Sequence, residues 1–206
     1  MTELENVIES RLGHLKSGRD SPFDCIDLLR GDILDETWLS RNFEYNFAYR
    51  KLIMLRELLR RYFDKMLRGH LVEKINEYKT LPLIKKMLTA EIMTLNASDF
   101  DDDIVLNYEG LKKRLTAIKS FGSIESDEIK KEYLAKYNEA LFAIVIDAAD
   151  GCKVELQEKL ISILERCLKD TKGKSNEIKL FNQIMETIIV ELHFTVFGWP
   201  SEAELR

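Results

Sequence analysis

Apolar residues recur along this chain mostly at three- and four-residue steps, the spacing that lines one face of a helix. Leu4, Val7, Ile8, Leu12 and Leu15 set the first such stripe. Thr2 and Glu5 stand before it as a capping box, in which two side chains satisfy two orphan backbone donors. Gly18 closes this helix. Ser21-Pro22 then offers an N-cap and a proline suited to the first helical position. The second helix is expected over Phe23 to Arg30, stopping at Gly31.

The longest element is predicted over residues 35–68, opened by Asp35 and Glu36. Tyr45, Ala48, Leu52, Leu55, Leu59, Tyr62 and Met66 alternate steps of three and four, a coiled-coil-like seam. Leu58, Phe63 and Leu67 widen the apolar face. Such breadth fits the centre of a bundle better than an isolated zipper. Gly69 marks the expected end.

A further helix starts near Leu71 and is broken or restarted by Pro82, which cannot sit in a helix interior without losing a bond. Others are expected over 104–118, from Ser126 to Ala149 with a stop at Asp150-Gly151, and over Lys153 to Lys169. The last segment carries two patterns. Ile178, Phe181, Ile184, Ile188 and Ile189 fit a helix, whereas Val190, Leu192, Phe194 and Val196 alternate with Glu191, His193 and Thr195 as in a strand. Helix is preferred, because no second strand of matching length and alternation is visible. The fold expected is all-α, a bundle of about seven or eight helices around one long helix. A single domain over 1–206 is expected, with 97–103 or 121–126 as the places where it would divide.

Composition agrees with this. Nine Gly and three Pro are too few for the turns of an all-β fold. A chain that is 45% hydrophobic and 33% charged has a core and long solvated helix faces. Cys25, Cys152 and Cys167 are too scattered for a disulfide framework, so a reducing, cytoplasmic setting is expected. The acidic start lacks the basic and apolar regions of a signal peptide. The longest apolar run, Ala140 to Ile146, falls far short of the ~20 residues that span a bilayer. A net charge of −5 gives no global attraction to nucleic acid or anionic lipid.

Local motifs for chemistry are thin. Asp99, Asp101 and Asp103 match the first acids of a calcium-binding EF-hand loop, but Ile104 stands where its sharp turn needs Gly and Gly110 where it needs a bidentate Glu. An acidic helix start capped by Ser98 is the plainer account. His14, His70 and His193 are isolated, with no zinc or di-iron spacing. Cys152 follows Gly151 at an expected helix N-terminus, where a thiol's pKa can fall, and is the best candidate for a reactive thiol, although a small residue entering a helix is common. Asp147, following an apolar run, is a candidate for a raised pKa or, more plainly, a solvent-facing acid. No glycine-rich phosphate loop occurs. No catalytic, metal or cofactor site is expected.

One charge feature stands out. Between Arg50 and Arg68 lie seven cations and two acids, a net of +5 within a chain of net −5. Arg50, Arg56, Arg60, Arg61, Lys65 and Arg68 form a candidate face for a polyanion or an acidic partner. The chain outside this run repels phosphate, so a non-catalytic helical interaction or regulatory protein is expected, with nucleic-acid or polyanion binding as the alternative. Trp38, Phe43, Phe47 and Trp199 place large apolar surface near element ends, and a homodimer is expected.

Overall fold

The computed structural model describes residues 3–34, 43–80, 82, 84–86, 88–89 and 127–200. Among them 88% are helical and none lies in a strand, so the described residues form an all-α fold. Five helices of the described residues are bounded at both ends: α1 (Glu3–Lys16), α2 (Pro22–Ile33), α3 (Glu44–Glu77), α4 (Asp127–Thr171) and α5 (Glu177–Phe197).

Helix α1 buries Leu4, Ile8, Leu12 and Leu15. Thr2 lies outside the described residues. Its expected capping partner Glu5 is buried, and its carboxylate accepts a hydrogen bond from the Gly173 N–H in the turn between α4 and α5. Helix α2 starts as expected, with the Ser21 hydroxyl accepting from the Asp24 N–H at 3.2 Å. It runs through Gly31 to Ile33 rather than stopping. Ile33 is fully buried, and the gain from burying it outweighs the ~1 kcal/mol that Gly costs in a helix.

The same competition moves two other boundaries. Helix α3 passes Gly69 and continues to Glu77, because Leu67, Leu71 and Ile75 extend its buried face by steps of four. The first part of the helix expected from Leu71 is therefore the end of α3, and after a break at residues 78–80 the chain is helical again at 82, 84–86 and 88–89, as the restart at Pro82 predicts. Helix α4 is a single 45-residue helix with no stop at Asp150-Gly151. Ala148, Ala149, Cys152 and Leu156 are all buried, so the apolar face crosses the glycine unbroken. These mergers lower the number of helices among the described residues, and the helix expected over 104–118 lies outside them. The segment Glu177–Phe197 is one helix. Ile178, Phe181, Met185, Ile188, Ile189 and Leu192 are buried at helical spacing, and Val190 faces solvent, which a strand alternation would not allow. The expected divisions at 97–103 and 121–126 lie outside the described residues, as do Asp99, Asp101, Asp103 and Trp38.

The chain forms two compact units, Met1–Tyr62 with Glu155–Arg206, and Phe63–Val154. In the first, the helices close into a ring fastened by polar contacts. Helix α1 runs antiparallel to α4: Lys172 pairs with Glu9 at 2.7 Å, Lys16 with Glu165 at 2.6 Å, and the Gln157 side chain donates to the Leu15 carbonyl at 2.8 Å. Helices α4 and α5 form a hairpin, crossed by Arg166–Glu191 at 2.9 Å. Helix α5 runs parallel to α3, with the Asn182 side-chain amide donating to the Glu44 carbonyl at 3.0 Å and Lys51 reaching Glu186 at 3.1 Å. Helix α2 runs antiparallel to α3 through Arg56–Asp27 at 3.0 Å, and Arg11 returns from α1 to Asp32 at 2.6 Å. Inside the ring, the seam residues Ala48, Leu52, Leu55 and Leu59 are fully buried, whereas Tyr45 and Tyr62 are half-buried.

The second unit buries Phe63, Leu67, Leu71 and Ile75 of α3, Ile84 and Leu88, and the face of α4 from Tyr137 to Cys152. There His70 lies beside Gly151, whose Cα would carry a Cβ 3.9 Å from the imidazole edge.

Candidate interaction surface

The basic run of α3 does not present one uniform cationic face. Arg56 turns toward α2, where it pairs with Asp27 and lies 5.3 Å from the centroid of the Phe23 ring. Arg60 and Arg61 converge on one carboxylate, Glu57, at 3.0 and 2.9 Å. These two cations hold the Glu57 carboxyl below the usual carboxylate range, with the Arg60 hydrogen bond the larger cause. The Arg61 guanidinium also lies 5.7 Å from the centre of the Phe197 ring at the end of α5. Arg50 and Lys65 are exposed. Arg68 is half-buried, and two of its nitrogens are enclosed with no hydrogen-bond partner among the described residues. Of the six predicted residues, Arg50 and Arg61 share the outward side of α3 with Glu57, Arg60 reaches Glu57 from a largely covered position, and Arg56 serves the α2 contact.

The other candidates fall to plainer roles. Cys152 is fully buried in the interior of α4, so the helix N-terminus that would have activated it does not exist. Burial likewise pushes the thiols of Cys25 and Cys167 up to about 12. Asp147 is exposed. His193 is exposed on α5 with its ring 4.8 Å from that of Phe197. Among the described residues no three His, Cys, Asp or Glu side chains come together as metal ligands would. A small cavity of about 90 Å³ between α4 and α5 has Lys159, Ser162, Arg166 and Thr195 at its rim and Ile163, Ile188 and Leu192 below. Among the described residues, no helix is long and apolar enough to cross a membrane.

What sequence reasoning missed is an apolar belt on the outside of the first unit. Leu28, Ile53, Met54 and Val190 are 43, 40, 53 and 49% exposed. They come from three helices but stand at one level. Lys51–Glu186 and Arg61–Phe197 fix the parallel register of α3 and α5 at offsets of 135 and 136 residues, which brings Met54 level with Val190. Asp27–Arg56 and Arg30–Tyr49 fix the antiparallel register of α2 and α3, which brings Leu28 to the turn of Ile53. A signal was present: Ile53 and Met54 lie between the seam residues Leu52 and Leu55, so a helix that buries the seam turns both outward. At the end of α5 a second apolar group is exposed. Trp199 is 80% exposed and stacks on Phe194 with ring centres 4.2 Å apart, next to Phe197. Phe43 and Phe47 meet edge to face at 5.2 Å at the start of α3.

Comparison with known proteins adds no family: no family model matches the chain, and no curated protein and no solved structure matches it.

Proposed function

We propose that this is a non-catalytic helical interaction protein that acts through protein–protein contacts, in a cytoplasmic setting that keeps its three thiols reduced. One observation carries this: large apolar side chains stand exposed on several helices of the first unit, grouped into the belt of Leu28, Ile53, Met54 and Val190 and the aromatic end of α5. Isolated exposed apolar residues are ordinary, but contiguous groups ringed by charges mark contact surfaces. Aromatic residues, Met and Arg are the types enriched there. The three cysteines are free and buried, which agrees with reducing surroundings.

The test is a photo-crosslinking residue at position 199, compared with one at Lys169 on the solvated side of α4. A discrete protein adduct at 199, absent at 169 and reduced by Phe197→Ala, is expected. Equal and diffuse labelling at both positions would refute the contact.

Polyanion binding by α3 is the competing function, and the ion pairs of Arg56, Arg60 and Arg61 weigh against it. Each phosphate neutralised would add about 0.7 to the log–log salt slope on single strands. Heparin and RNA retention, with the Arg61→Glu, Arg68→Glu variant as control, separates the two. Tight retention at physiological salt, lost in that variant without loss of stability, would favour the polyanion.

A further inference from the structure

The outward stripe of α3 reads Phe47, Arg50, Met54, Glu57 and Arg61, at alternating steps of three and four on the side opposite the buried seam. Its chemistry is ordered along the axis. An aromatic and a cation precede the apolar centre, and an acid and a cation follow it. Turned end over end about Met54, the stripe matches itself. Positions whose numbers sum to about 108 come level, so an aromatic meets a cation, a cation meets an acid, and the apolar centre meets its own copy. We propose that this face is the contact between two copies of the chain, related by a twofold axis passing close to Met54, with Arg50 of each copy facing Glu57 of the partner subunit.

Three features support the second copy as the occupant. First, isologous contact requires a self-complementary patch, which few surfaces provide by accident. A basic stripe alone would repel its own copy, whereas here Arg50 and Glu57 lie two turns apart, about 10 Å, on opposite sides of the centre. Angular position agrees as well. At 100° per residue both fall on the same flank of the stripe, and a twofold axis crossing the helices preserves the flank. Second, the exposed Val190 on the α5 flank stands at the level of the axis and so meets its own copy. Third, Phe47 comes level with Arg61 of the partner subunit. Arg61 already lies over Phe197 within its own chain, and a planar guanidinium can stack an aromatic ring on either face. The matched stretch from Phe47 to Arg61 is about 20 Å long. The side chains of Arg61 and Glu57 are 42 and 47% exposed, within reach of a partner.

This assignment rests on the protein-contact function above and specifies one partner. Its test is charge exchange, read as molar mass by light scattering across a concentration series. The wild-type chain is expected to be a dimer. Arg50→Glu sets carboxylate against carboxylate at both symmetry-related contacts, and Glu57→Arg sets guanidinium against guanidinium at the same two places. Each variant is expected to weaken the dimer about tenfold or more. Mixing the two variants brings opposite charges together again, because each copy then supplies what the other lacks, and a heterodimer is expected. The variant carrying both exchanges should dimerise with itself. Circular dichroism confirms that each variant remains helical, and Met54→Glu provides a dissociated reference that leaves the native charges in place. Loss of the Glu57 pairs to Arg60 and Arg61 cannot mimic this pattern, since mixing does not repair it. A wild-type chain that is monomeric throughout, or variants that fail to rescue one another, would overturn the assignment. A monomer that still gives a discrete cross-link at position 199 would overturn the twofold contact and leave the protein-contact function standing.

Discussion

Lys51 and Asn182 lock α3 to α5 from both sides of one residue. The Lys51 ammonium donates to the Asn182 backbone carbonyl at 3.0 Å, while the Asn182 side-chain amide donates to the Glu44 carbonyl at 3.0 Å. The two bonds span nearly two turns of α3 and fix its register against α5, on which the level of Met54 with Val190 depends. Asn182 is 8% exposed, so its replacement is not repaired by bulk water. Asn182→Ala is expected to cost about 1–2 kcal/mol in urea unfolding, the range for removing one partner of a buried hydrogen bond. A loss under about half a kcal/mol would show that the register is held by apolar packing alone.

The seam carries more. Leu55 is fully buried, with Leu52 and Leu59 a turn away on the same face. Leu55→Ala should cost about 2–5 kcal/mol, the sum of lost transfer energy and the cavity left behind. Met54→Ala, one residue away but exposed, should cost little in the monomer. Equal losses at the two positions would contradict the orientation of α3.

The ease of locating that seam contrasts with the difficulty of placing the helix ends. Leu52, Leu55 and Leu59 were legible because a period of alternating threes and fours survives in any tertiary context. Gly31, Gly69 and Gly151 misled, because local propensity penalises each by only about 1 kcal/mol, and the buried residues beyond them offset that. Ile33, Leu71 and Cys152 lie on faces whose partners are distant in sequence. The outward belt was harder still. Leu28, Ile53 and Val190 gain meaning only from the register of three helices, which depends on Asp27–Arg56 and Lys51–Glu186. The basic run was visible as composition, but its division between the α2 contact through Asp27 and an outward face shared with Glu57 required the fold.

The thiols offer a chemical check. Burial pushes Cys25 and Cys167 up to about 12, so at pH 8 the reactive thiolate is on the order of one part in ten thousand. Both are expected to resist a disulfide exchange reagent in the native protein and to react at once in denaturant. Rapid native labelling of either would contradict the packing of α2 against α1 or of α4 against α5.

Glu57 sets a pH dependence of defined sign. Its folded pKa is lowered, so its contribution is fully present above the ordinary carboxylate value of about 4.3 and is lost as pH falls through the lowered one. The side chain is nearly half exposed, and solvent screening keeps the effect small. Glu57→Gln is expected to lower the urea midpoint at pH 7, with the difference closing in acid below the lowered value. A difference that widens as pH falls would contradict the pairing with Arg60 and Arg61.

The central claim is that two copies meet antiparallel along α3, and a distance between spin labels tests it most directly. Asn46→Cys carries the label, while the native cysteines stay buried and unlabelled. Asn46 lies eight residues before Met54, so an axis at Met54 separates the two labels by about 25–30 Å, mostly along the helix axis. A single distance in that range, abolished by Met54→Glu, is the result expected. A pair of labels closer than about 15 Å, as side-by-side parallel helices would give, or no dipolar coupling at concentrations where mass indicates association, would contradict it.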